Sequence, residues 1–183
     1  MEMLYHYYEK ALGPFRNLSD LPAAEAEEVL RTIRQDKKVM ASRRPEGYLE
    51  RRRELEQLAR ELFTAKGGKP VRTVPHYMVF GECDWLKSWY AEGEAVQLHL
   101  SSFDTDTLSF SYGDLFPTFS SRVQDGREYR GQVYTYYEIL QLIRKYGLPQ
   151  IWNKDGTGGP ERYIEVQVWD EGPLKSLLEE IKD

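Results

Sequence analysis

The chain has 183 residues, 40% of them apolar, 13% aromatic and 30% charged, which are proportions of a folding protein and exclude a disordered one. A single cysteine excludes an intramolecular disulfide framework, and no apolar run approaches the roughly 20 residues of a membrane-spanning helix. The start MEMLYHYYEK has neither a basic nor an apolar secretory region, so the expectation is one cytoplasmic domain over 1–183, without a membrane partner.

Leu4 to Tyr8 (LYHYY) is aromatic and β-prone and predicts an opening strand. Asp20, Leu21 and Pro22 lead into a helix ending near Gln35, with Val29, Leu30 and Ile33 at helical spacing. A second helix is expected from about Pro45, with Tyr48, Leu55, Leu58, Leu62 and Phe63 as its stripe and Gly67-Gly68 as its stop. Near Pro70 the texture changes: all four Trp and the only Cys lie beyond it. The charge divides there too, with 14 Lys and Arg against 12 Asp and Glu before Val71, and 11 against 18 after it.

His76 to Phe80 predicts a strand and Asp84 to Tyr90 a short helix or turn. Val96, Leu98 and Leu100, then Leu108, Phe110 and Tyr112, alternate with polar residues as half-buried strands do, and the FDTD link predicts that they pair as antiparallel neighbours. Gln132 to Tyr134 suggests a further short strand. Thr135 and Glu138 have capping-box spacing before Ile139, Leu140, Leu142 and Ile143, and Gly147 with Pro149 ends that helix. Trp152 to Pro160 is expected to be a flexible loop, Arg162 to Trp169 a strand, and Pro173 to Lys182 a closing helix. The fold class expected is α+β: a mainly antiparallel sheet of about five strands with two N-terminal helices, one inserted helix and a C-terminal helix.

Chemistry-bearing residues are sparse. Cys83 follows a strand, but Glu82 and Asp84 disfavour its thiolate, so an inert thiol is expected. One Cys and three His lack the paired spacing of a zinc site, and no metal is expected. Asp104, Asp106 and Asp114 admit a hard-metal or acid-pair reading, yet they sit where Asp caps turns, and that role is favoured. Gly156, Gly158 and Gly159 share only the composition of a phosphate loop, because a strand follows them. The Arg51–Arg53 run is interleaved with carboxylates, Arg53 with Glu50 and Arg60 with Glu56, as on a solvated helix face, so no nucleic-acid partner is expected.

Alternation along the last strand puts Glu165 with Tyr163, Gln167 and Trp169, opposite Ile164, Val166 and Val168. This segment, RYIEVQVWDEGPL, together with LYHYY, distantly resembles ADP-ribosyltransferase-type domains, and the chain as a whole looks like a bacterial protein family without an assigned activity. The first resemblance implies an early-strand His and a mid-chain Tyr that hold a nicotinamide dinucleotide, and a late-strand Glu that stabilises an oxocarbenium-like ribose. Carried over, these are His6, Tyr77 and Glu165, with NAD as substrate. The sequence departs from that pattern in lacking a helix that ends in Gly soon after His6, and in its inserted helix at 136–146. The principal expectation is therefore a domain that binds a small molecule or a protein through its aromatic C-terminal region, with no cofactor. The ADP-ribosyltransferase-like enzyme is the alternative, and an interaction module acting through the Arg-rich helix is the third reading.

Overall fold

The computed structural model describes residues 2–35 and 39–181. Five strands, β1 (Met3–Glu9), β2 (His76–Phe80), β3 (Gly93–His99), β4 (Leu108–Tyr112) and β5 (Ile164–Val168), form one sheet in the order β3-β1-β2-β5-β4, antiparallel throughout. The helices are α1 (Ala23–Gln35), α2 (Tyr48–Ala65), α5 (Tyr136–Tyr146), α7 (Gly172–Glu180) and three single-turn pieces, α3 (Asp84–Lys87), α4 (Leu115–Thr118) and α6 (Pro149–Trp152). The fold is α+β, and the closing helix is described as far as Ile181, so Lys182 lies outside the described residues.

One sheet face carries Leu4, Met78, Phe80, Phe110, Ile164, Val166 and Val168, and Ile139 and Leu142 of α5 and Leu174 of α7 close over it. The capping box of α5 is made, with the Thr135 N–H donating to Glu138 Oε2 at 2.8 Å, and Gly147 ends the helix at a positive φ of 79°. Its buried anchors are Ile139 and Leu142, while Leu140 and Ile143 are only partly covered. The opposite face carries Tyr5, Tyr7, Tyr77, Val79, Tyr163, Glu165, Gln167 and Trp169. It is covered by α2, through Leu55, Ala59 and Phe63, and by α3 and α4 through Leu86 and Leu115.

Several expectations are corrected. Strands β3 and β4 are the two edges of the sheet, not neighbours. The connection between them folds into two 3₁₀ turns, Leu100–Ser102 and Thr105–Thr107, and these carry the chain from one edge to the other instead of reversing it in a hairpin. Strand β4 is buried on both faces, because Ser109 and Ser111 join a polar ladder with Gln167 and Trp169 under α2. Tyr134 makes only an isolated bridge to Phe110. The Trp152–Pro160 loop is organised around fully buried Asn153, whose side chain accepts from the Gly158 N–H and donates to the Gly159 and Glu161 carbonyls.

Helix α2 is not a solvated charge ladder on every side. Arg52 and Glu56 pair at i,i+4 at 2.9 Å, with Glu56 only 1% exposed, and they continue the inward stripe formed by Ala59 and Phe63. Arg53 donates to the Leu21 carbonyl, and Arg60 to those of Pro70 and Arg72, so neither makes the ion pair expected of it. Among the described residues, no helix is long and apolar enough to cross a membrane.

Candidate functional site

The second sheet face does not close completely. Between it, the N-terminal part of α2 and the Met40–Arg44 segment lies a cavity of about 580 Å³. Its walls are aromatic: Tyr5 and Tyr7 from β1, Tyr48 from the start of α2, Trp85 and Trp89 from α3 and the turn after it, and Phe116 from α4. Glu165 and Asp114 border it from the sheet, together with Tyr77 and Tyr163.

His6, Tyr77 and Glu165 all line this one cavity. His6 belongs by register to the other sheet face and reaches the cavity where β1 and β2 part, since their ladder contains only Leu4↔Phe80 and Tyr5↔Val79. Beyond those pairs the imidazole substitutes for the ladder. The Phe15 N–H donates to Nε2 at 2.9 Å, so Nδ1 carries the proton, and it lies 2.8 Å from the Tyr77 carbonyl that accepts it. Phe15 has a φ of 59°, unusual for a residue other than Gly, and its ring stacks on His6 at 4.3 Å. Burial lowers the His6 pKa to about 4, partly offset by the Tyr77 carbonyl, and the imidazole stays neutral. Both ring nitrogens are therefore engaged with main chain, and neither is free for a ligand hydroxyl.

Tyr77 is held from the helix side. Its hydroxyl donates to Glu56 Oε1 at 2.8 Å, and the Arg52 guanidinium lies 4.7 Å from its ring centroid. Arg52 also reaches Asn17 Oδ1 (2.9 Å), Ser19 Oγ (2.9 Å) and the Tyr48 hydroxyl (3.2 Å). Burial alone would lower the Arg52 pKa, but the oxygens of Tyr77, Tyr48 and Glu56 hold it cationic.

Glu165 is buried at 7% exposure and accepts from Gln167 Nε2 at 3.1 Å. Asp114 Oδ1 accepts from the Phe116 N–H at 2.7 Å, and its Oδ2 accepts from the Tyr163 hydroxyl at 3.1 Å. Burial raises Glu165 well above the carboxylate range and Asp114 adds to it; burial also raises Asp114, against the pull of the Phe116 amide, Tyr163, Arg52 and Arg44. Both shifts favour the protonated carboxyl, which offers an O–H donor as well as an acceptor oxygen to the cavity.

Asp114 was weighed in the sequence only beside Asp104 and Asp106, and the three do not form one site. Asp104 caps its own turn, accepting from the Asp106 N–H at 3.0 Å, while Asp106 pairs with Lys69 at 2.8 Å. Asp114 instead lines the cavity with Glu165, 51 positions away, and no sequence spacing announces that. Arg52 and Glu56 did leave a signal, since 52, 56, 59 and 63 form one helical stripe. Cys83 is buried and its thiol pKa is raised, by burial first and only marginally by Asp84. Among the described residues, no group of three or more His, Cys, Asp or Glu is placed to hold a metal ion. No protein-family model, curated protein or solved structure matches this chain.

Proposed function

We propose that this chain is a small-molecule-binding protein whose ligand occupies the cavity under α2, a ring resting on the aromatic walls and hydroxyl or amino groups meeting Asp114 and Glu165. The observation that carries this reading is a pair of carboxyls set into an aromatic-lined space of about 580 Å³. Burying acids is costly and seldom serves packing, whereas a few convergent polar groups in an apolar hollow are the usual make-up of a ligand site. A cytosolic setting suits the lone buried thiol. The test is calorimetric titration with nucleosides, nucleotides, glycosides and NAD, on wild type and on Ala41→Trp, which adds a ring to the cavity lining. Saturable binding of one class to wild type, lost in Ala41→Trp, is expected; no binding by any of them, or equal binding by the filled variant, refutes the reading.

The enzyme alternative, cleavage of the nicotinamide-ribose bond of NAD, is favoured by the meeting of His6, Tyr77 and Glu165 around one cavity. In it the roles shift from those the resemblance implies. His6 organises the strands instead of touching ribose, and Glu165 acts only in its ionised form. Nicotinamide release from NAD by wild type, reduced at least 100-fold in Glu165→Gln at unchanged affinity, is the expected result for an interaction made mainly in the transition state. Absence of release with binding intact leaves the binding protein as the function.

A further inference from the structure

The cavity is not lined by acids alone. Arg16, Arg43, Arg44 and Arg162 line it as well, and they come from three separate stretches of the chain. Arg16 and Arg43 are exposed, and Arg44 and Arg162 are partly so, which places the group toward solvent. Among the described residues none of the four is within ion-pairing distance of a carboxylate, although acids outnumber bases in this protein by 30 to 25. Arg52 is the contrast: it is tied to Asn17, Ser19, Tyr48 and Glu56 and serves the framework.

Two of the four are already oriented. The Arg44 guanidinium lies 4.6 Å from the Tyr48 ring centroid and that of Arg162 3.9 Å from the ring of Trp85. Stacking occupies the face of a guanidinium and leaves its in-plane N–H edge for an oxyanion. Arg162 spends one N–H on the Lys154 carbonyl and Arg16 spends its Nε–H on that of Leu12, and the other N–H groups of both stay available. Like charges around one cavity repel each other, and the repulsion is relieved by a ligand group that carries negative charge and accepts several hydrogen bonds. A carboxylate satisfies two arginines at most in forked geometry, whereas a phosphate presents three or more oxygens to donors from several directions.

We infer that the ligand of this cavity bears a phosphate or diphosphate group, held by Arg44 and Arg162 with Arg16 and Arg43 at the rim, while its ring and hydroxyl groups lie deeper toward Asp114 and Glu165. This rests on the small-molecule reading above and narrows it to phosphorylated ring compounds.

The experiment compares ribose, ribose 5-phosphate, inorganic phosphate and pyrophosphate by calorimetry. It is run on wild type, on Arg44→Gln/Arg162→Gln, and on Lys175→Gln as a cation outside the cavity lining. Expected are binding of ribose 5-phosphate at least ten-fold tighter than ribose and than inorganic phosphate alone, a loss of at least ten-fold in the double variant, and none in Lys175→Gln. Far-ultraviolet circular dichroism checks that the double variant is folded, and single Arg43→Gln and Arg16→Gln variants replace it if it is not. Binding of ribose as tight as of its phosphate overturns this inference and leaves the small-molecule reading standing, as does unaltered phosphate binding in the arginine variants. If inorganic phosphate binds as well as ribose 5-phosphate, the site is for the free anion and the ring part of the inference falls. Failure of all four probes, followed by tight salt-sensitive binding of a single-stranded oligonucleotide through the same arginines, overturns both.

Discussion

The imidazole of His6 performs work usually left to a strand ladder, bonding main chain through both nitrogens at the point where β1 and β2 separate. Its pKa, lowered from 6.5 to about 4, makes a prediction with a definite sign. The folded state prefers the neutral ring, so this contribution is complete above pH 6.5 and is lost as pH falls from 6.5 to about 4, a loss of about 3 kcal/mol. The stability difference between wild type and His6→Gln, from urea titrations at pH 7.5 and 4, is expected to shrink by that order on acidification; a constant difference contradicts the burial of a neutral ring. Glu165 runs the opposite way. Its folded pKa is raised, so the stability it contributes is present below the ordinary carboxylate value of 4.5 and is lost as pH rises above it. Glu165→Gln, neutral at every pH, is expected to gain on wild type steadily from pH 5 to pH 8. An unchanged gap over that range would mean that Glu165 ionises freely. Arg52 is the third residue whose removal discriminates: Arg52→Ala strands Glu56 in a buried place and is expected to cost about 3 to 5 kcal/mol. A cost under about 1 kcal/mol, typical of an exposed pair, rejects the buried-pair description.

At the scale of elements, α5 shows why a strong local pattern still leaves the anchor to be found. Capping box, apolar stripe and terminal Gly agree with the helix observed, Tyr136–Tyr146. Four apolar residues within five positions span more than one face, and only contact with β4 decides that Ile139 and Leu142 go inward. Ile139→Ala is expected to cost about 2 to 5 kcal/mol and Leu140→Ala distinctly less. Equal denaturant midpoints for the two variants would misplace the buried face. The same helix start is tied to the end of α2, because Glu138 also pairs with Lys66 at 3.1 Å. A pair this exposed adds little, on the order of 0 to 1 kcal/mol, and serves mainly to set register between the two helices.

In the whole molecule, the N-terminal helical stretch and the later sheet-rich stretch share their cores. Strand β1 lies between β3 and β2, Phe63 of α2 packs with Trp169, and Arg72 bridges Asp20 to Glu171. Unfolding followed by tryptophan fluorescence, which reports only on residues beyond Pro70, is expected to coincide with the loss of helix followed by circular dichroism. Two separated transitions would show that the stretches are independent units. The cavity arises at this scale as well, since α2 covers the sheet through Leu55, Ala59 and Phe63 while its first turns stand away from β1.

The sequence by itself determined the kinds of element and most of their bounds, because periods of two and 3.6, caps and terminators act over a few residues. LYHYY, HYMVF, LSFSY and the Thr135–Gly147 helix are all legible in that way, and so is the α+β class that follows from them. Only the tertiary structure decided the order of the strands, because pairing is a contest among distant partners: β3 is taken by β1 and β4 by β5, whatever the short link between β3 and β4 suggests. It also decided which charges go inside. Whether an Arg or Asp is buried depends on a partner that can compensate its desolvation, and such partners come from distant segments: Asn17 and Ser19 for Arg52, and Tyr163 for Asp114. Alternation could place Glu165 beside Tyr163 and Gln167, but the turn at Asp114 had to fold before a second carboxyl and a cavity existed together.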